Sequence, residues 1–163
     1  MKAKKGKWQT IINKGFTLIE LLIVISLLSI LTLSSISVFS SYSRSQTYDN
    51  AVTDVVTLLN KAKSRALSRV KPSNCTTNAI TGYQVSFAVP GQTYRLRAMC
   101  GGTTYIIESK TLPTGVTFAA GSVTSTSFAV GTGIVSSVRT TTITGLGNTK
   151  TITVDTVGNI SVF

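Results

Sequence analysis

The chain has 163 residues, with 16 lysines and arginines against 5 carboxylates, a formal charge of +11 and no histidine. Without histidine, Ser-His-Asp and Cys-His nucleophilic machinery and histidine-bearing zinc sites are excluded, and no G-x-x-x-x-G-K-[ST] phosphate loop occurs. This length allows one modest domain plus an appendage.

The first element is a charged leader. "MKAKKGKWQTIINKG", residues 1–15, carries Lys2, Lys4, Lys5, Lys7 and Lys14 and no acid. It is followed by "FTLIELLIVISLLSILTLSSISVF", residues 16–39, with 16 apolar residues and a single charge, Glu20. As a helix such a stretch reaches roughly 36 Å, enough to cross a hydrocarbon layer of about 30 Å. Lysines flanking a spanning segment stay on the cytoplasmic side, so the N-terminus is expected inside and the rest exported. A secretory signal would place its small-residue cleavage site after the apolar run. Here the small residue, Gly15, comes before it.

Lys14-Gly15 followed by Phe16-Thr17-Leu18-Ile19-Glu20 and an apolar run resembles the type IV pilin and pseudopilin family. The resemblance covers about 25 of the 163 residues. It implies that a prepilin peptidase cuts between Gly15 and Phe16, that the new amine on Phe16 is N-methylated, and that Glu20 is an assembly residue. Electrostatics supplies a reason for that carboxylate. A charge near mid-membrane costs ~2.5–3.5 kcal/mol on insertion scales, and pairing an ammonium with a carboxylate relieves both burials. Glu20 is four residues beyond Phe16, so its partner is either its own amine or that of a staggered neighbour; the resemblance favours the neighbour. Implied partners are other pilins or pseudopilins in a helical filament, the peptidase, an inner-membrane assembly platform, and lipid before assembly. The implied location is the cytoplasmic membrane, then a periplasmic or extracellular filament.

No Gly or Pro occurs between Gly15 and Pro72, so one helix is expected over most of that distance, with a soft joint at residues 34–45, where seven serines fall. Residues 40–71 read as an amphipathic continuation: Tyr48, Val52, Val55, Leu59, Ala62 and Ala66 recur at spacings of four and three and form one docking stripe. Lys61, Lys63, Arg65, Arg69 and Lys71 cluster toward its end, as a solvated face suited to a helix C-terminus or as a phosphate-binding strip.

Residues 72–163 turn to Thr, Ser, Val and Gly with short alternating runs. "YQVSFAV" (83–89) and "TYRLRAM" (93–99) read as a hairpin about Pro90-Gly91, with Tyr94, Leu96 and Ala98 on one side of the second strand and Arg95 and Arg97 on the other. Gly101-Gly102 leads into Thr104–Ser109, and further strands are expected at Gly115–Ala119, Ser127–Val130, Thr140–Thr144, Thr149–Asp155 and Asn159–Phe163. The predicted fold class is therefore α+β: a long N-terminal helix, membrane-spanning in its first half, on an antiparallel β-sandwich of about seven or eight short strands. This order is similar to that of the H-type pseudopilins and the FimT/FimU-like minor pilins. Cys75 and Cys100 lie in the exported part, where a disulfide is permitted; two buried free thiols are the alternative.

The acids form no metal cluster, since Glu20 is in the apolar run, Asp49 and Asp54 are on different helix faces, and Glu108 and Asp155 are isolated. No cofactor, metal or enzymatic activity is expected. The leading functional expectation is a minor pilin or pseudopilin of a type IV pilus or type II secretion pseudopilus. The alternative is a DNA-binding minor pilin for DNA uptake, with Lys61, Lys63, Arg65, Arg69, Arg95 and Arg97 as candidate contacts. An unrelated tethered β domain would need neither cleavage at Gly15 nor the acid at position 20.

Overall fold

A computed structural model describes residues 15–75 and 79–163, of residues 33–38 the backbone only. The leader lysines lie outside these residues. Two compact units divide the chain, one up to Ser41 and one from Tyr42 onward.

Helix α1 spans Leu18–Leu67, 50 residues. The absence of Gly and Pro lets it run; what stops it is a Schellman turn. Arg69 adopts φ +50°, the Val70 N–H donates to the Arg65 carbonyl, and the Arg69 N–H donates to the Ala66 carbonyl, both at 3.3 Å. Those are the two closing bonds of that motif, with arginine where glycine is usual. Just beyond, the Tyr83 hydroxyl donates to the Val70 carbonyl at 2.6 Å and pins the exit; burial raises the pKa of that hydroxyl.

Eight strands follow in two four-stranded antiparallel sheets. The first holds β1 (Ile80–Phe87), β2 (Thr93–Cys100), β3 (Thr103–Thr111) and β5 (Ser125–Ala129), in the order β3-β2-β1-β5. The second holds β4 (Val116–Phe118), β6 (Arg139–Gly145), β7 (Asn148–Val154) and β8 (Ile160–Val162), in the order β4-β6-β7-β8. The β1–β2 hairpin turns at Pro90-Gly91, and Phe87 pairs with Tyr94 across it. Between β6 and β7 the turn needs glycine at Gly145, where a Cβ would strike the Gly115 backbone. The α+β class and the strand count agree with the sequence pattern.

One core joins these elements. Tyr48, Val52, Val55, Leu59, Ala62 and Ala66 are all buried, as the stripe requires, and Ala51 and Leu58 widen it. Phe118 of the second sheet sits 5.1 Å from Phe87 and 6.0 Å from Tyr94 of the first, ring centre to ring centre. The aromatic cluster thus ties both sheets together at centroid distances favourable for aromatic pairs. Tyr48 is fully buried and its hydroxyl donates to the Ile143 carbonyl of β6 at 2.7 Å. Tyr48→Phe keeps the ring and deletes the bond, so denaturant unfolding should show a loss of about 1–2 kcal/mol; an unchanged midpoint would mean that bond holds nothing in place.

Ion pairs add a weaker layer. Lys61 of α1 pairs with Glu108 of β3, Lys110 lies 3.9 Å from both Glu108 and Asp54, and Lys150 bonds Asp49 at 2.8 Å. The Lys61 bond holds the Glu108 carboxyl below its ordinary pKa, against the opposing effect of burial. Such partly exposed pairs contribute little individually.

Cys75 and Cys100 are joined in a disulfide with their Cα atoms 5.8 Å apart, and both are buried. The bridge ties the segment after α1 to the end of β2.

Candidate functional site

The first turn of α1 carries the sequence feature of greatest chemical interest. Gly15, Phe16 and Thr17 precede the helix, which begins at Leu18. Thr17 is the cap: its Oγ1 accepts the Glu20 N–H at 3.3 Å. Thr17-x-x-Glu20 is a capping-box spacing, in which the hydroxyl satisfies one of the first orphaned amides of the helix. With Thr17 at the boundary, Phe16 stays outside the helix.

Gly15, Phe16, Thr17 and Glu20 line one shallow concavity. Among the described residues nothing bonds or ion-pairs the Glu20 carboxylate. It sits in the first turn, where a negative charge is favoured by the helix dipole, and the amides there do not neutralise it.

Around this acid the described helix surface is apolar and exposed. Phe16 is 80% and Leu18 78% exposed, and the apolar side chains from Ile19 to Leu31 are exposed throughout. A contiguous apolar surface of that extent exceeds what a soluble surface normally carries and marks an interface. The few polar side chains within it are already satisfied: Ser26 Oγ donates to the Ile23 carbonyl and Ser29 Oγ to Ile25, both at 2.8 Å, and Thr32 Oγ1 donates to Leu28 at 3.0 Å. Hydroxyls closed onto their own backbone enter an apolar surrounding at little cost. Glu20 is thus the one ionisable group among residues 16–32, and no partner for it is supplied from within.

Among the described residues no helix is long and apolar enough to cross a membrane. The expected span 16–39 runs through residues 33–38, whose side chains lie outside the described set. Among the described residues no group of three or more His, Cys, Asp or Glu could hold a metal.

The six basic residues named as nucleic-acid candidates are not brought together. Lys61 is engaged by Glu108. The stem of Lys63 passes over Gly133 and Gly158, and the guanidinium of Arg69 lies against Gly131. Arg65 stands beside the Tyr83 hydroxyl. Arg95 and Arg97 share one surface, alternating with the buried Tyr94, Leu96 and Ala98 along β2. Sequence reasoning missed the role of Thr17, although a Thr three residues before a Glu at the head of an apolar run is a legible signal.

Residues 12–36 match the prokaryotic N-terminal methylation motif. No curated protein and no solved structure matches the chain.

Proposed function

We propose that this chain is a type IV pilin-like structural subunit, matured at its N-terminus and assembled through its N-terminal helix. Support comes from the methylation motif over residues 12–36, which includes Glu20, a carboxylate without a partner among the described residues in an exposed apolar helix. On this reading residues 1–15 are a leader removed by a prepilin peptidase, Phe16 becomes the methylated N-terminus, and residues 16–39 anchor the chain in the cytoplasmic membrane before assembly. Residues 40–71 continue the helix onto the β domain of residues 72–163, which faces the periplasm or exterior.

Assembly then follows from charge. Cutting between Gly15 and Phe16 frees an ammonium beside an apolar surface. Bundling the helices buries that ammonium and the Glu20 carboxylate alike, and an unpaired buried charge costs several kcal/mol. A staggered neighbour places the ammonium of one chain against Glu20 of the next, so neutralisation and axial register are set together. We assign the subunit to the minor pilins or pseudopilins, in contact with other pilins and an assembly platform, with no enzymatic role.

Intact mass of the chain extracted from membranes of cells with active peptidase tests the maturation step. The expected mass lacks residues 1–15 and carries one added methyl group. A chain that keeps those fifteen residues would rule the proposal out.

A further inference from the structure

Strand register divides the outer face of the first sheet into an apolar end and a cationic end. One row of aligned residues crosses β2, β1 and β5 as Met99, Gly82 and Ala129. The next runs from β3 as Ile106, Arg97, Gln84 and Ser127, and the last as Ser109, Arg95, Ser86 and Ser125. Successive rows stand about 6.6–6.8 Å apart, the spacing of alternate residues in any extended strand. At the first row lies a pocket of about 280 Å³, lined by Met99, Gly82, Ala129 and, from the loop after β5, Ile134. Gly82 leaves it open, because a Cβ there would come within 3.7 Å of the Met99 sulfur and 2.8 Å of the Phe128 carbonyl oxygen. Such a volume falls below the roughly 300–1,000 Å³ of small-molecule sites and suits one apolar side chain.

No carboxylate meets the two arginines. The chain has five acids, and each is elsewhere. Glu20 is at the head of α1, Asp49 is held by Lys150, and Asp54 lies by Lys110. Glu108 turns toward α1 to meet Lys61, its register partner being the core residue Leu96. Asp155 accepts the Asn159 N–H and side-chain amide in the second sheet. Arg95 Nε donates to Ser109 Oγ at 3.3 Å. Arg97 Nε is buried and has no hydrogen-bond partner, whereas buried donors are normally satisfied. Beside it Ile106 is 52% exposed, and Ile134 at the pocket is 49% exposed. Exposed apolar surface therefore adjoins an uncompensated guanidinium.

These features select the occupant. The pocket calls for an apolar group, the guanidinium forks call for carboxylates that they can bind bidentately, and the rows fix the separation between them. A second copy of the chain does not supply this set. Asp49, Asp54, Glu108 and Asp155 are each engaged within their own chain, and Glu20 belongs to the apolar helix. A uniform polyanion would leave the pocket empty. An extended segment of another protein meets all three rows at once when one apolar residue and two acids occupy alternate positions. Its side chains then repeat at the spacing of the rows, and a strand laid along a sheet face is an ordinary packing.

We propose that Met99, Ile134 and the gap over Gly82 form an anchor pocket, and Arg97 and Arg95 an acid clamp, for an extended segment of a partner protein with the pattern apolar-x-acid-x-acid, read in either chain direction. None of this depends on cleavage at Gly15 or on Glu20, so the face and the assembly step succeed or fail separately.

The sequence provides its own reporter. The chain has two methionines, Met1 in the leader and Met99 in the pocket. The full chain in neutral detergent, isotope-labelled at the methionine methyl groups, is titrated by NMR with the blocked peptide acetyl-Leu-Thr-Glu-Thr-Glu-amide. Its isomer acetyl-Glu-Thr-Leu-Thr-Glu-amide is the control, since seating that leucine leaves one acid off the end of the clamp in either direction. The first peptide is expected to shift the Met99 methyl and leave Met1 unmoved, and the isomer to bind about tenfold more weakly. Arg97→Gln should weaken the first peptide by about tenfold or more. Ile134→Ser, which leaves the charge unchanged, should also weaken it by roughly tenfold. A thermal midpoint equal to that of the parent establishes that the variants fold, and the comparison of isomers needs no variant. A Met99 methyl unmoved at millimolar peptide, equal affinity for the two isomers, unchanged affinity in either variant, or an equal shift caused by a random-sequence DNA duplex would each overturn the proposal.

Discussion

Glu20→Leu should insert into the membrane as the parent does and fail to enter filaments, with incorporation reduced at least about a hundredfold. The size of the effect follows from what the substitution leaves behind. Removing one member of a buried ion pair strands the other, at about 3–5 kcal/mol. On the proposed pairing the stranded group is the ammonium of a neighbouring Phe16. Leucine itself is compatible with the exposed apolar helix surface on which Glu20 sits, so insertion and folding of the β domain have no reason to suffer. Quantifying the variant in the membrane fraction and in sheared filaments from the same cells separates the two steps. Incorporation at the parental level would remove the charge-pairing account. The Thr17 cap refines this expectation: because its hydroxyl holds the Glu20 amide at 3.3 Å, the helix start stays fixed, and the carboxylate remains available to a neighbour.

Replacing Cys75 and Cys100 together by serine should lower the stability of the β-bearing unit by about 3.5 kcal/mol, the chain-entropy value for a closed loop of this size. The sulfurs join residues 25 apart, and both side chains are buried, so two hydroxyls would also be left among apolar neighbours. For a unit of this length the corresponding fall in Tm is ~10 °C or more. Thermal unfolding of the detergent-solubilised full chain, with and without a reductant, checks it: the parent under reducing conditions should approach the serine variant. A change below about 1 kcal/mol would mean that the bridge is dispensable and that core packing alone holds the exit of α1 against β2.

Much of this architecture was legible in the residues, and the reasons are specific. The stripe from Tyr48 to Ala66 obeys helical periodicity, and burial of every member reflects that a helix with one apolar face has one stable way to dock. Leu58 escaped notice because it lies one position from Leu59; a docking face wider than a single row of spacings admits both. The strands were readable wherever alternation and glycine turns coincide, as in β2, where buried and part-exposed residues alternate over all eight positions. In β3 alternation fails for a physical reason. The register shifts between Leu96 and Arg97, so that Leu96 faces Glu108 while Arg97 faces Ile106. That irregularity sends Glu108 to Lys61 on α1, which a strict period of two would not foresee. The helix end was hidden for another reason: Arg69 fills the left-handed position that glycine would have advertised.

The candidate sites divide in the same way. Gly15, Phe16 and Glu20 could be named from sequence because their meaning depends on spacing along one helix. Arg95 and Arg97 were readable as a pair facing away from the core. Their isolation from every carboxylate was not, because it depends on where α1, β7 and the Asp155 turn send the five acids. Tertiary placement decides which basic residues meet an acid: Lys61 pairs with Glu108, whereas Arg95 Nε donates to the Ser109 hydroxyl.

The most direct measurement is a reconstruction of the assembled filament at side-chain detail, read at the first turn of α1. The account requires the Phe16 nitrogen to be a free, methylated terminus within about 4 Å of a Glu20 carboxylate belonging to an adjoining chain. A Phe16 still joined to Gly15, or a Glu20 turned to the outside of the helical bundle with no cation beside it, would contradict it.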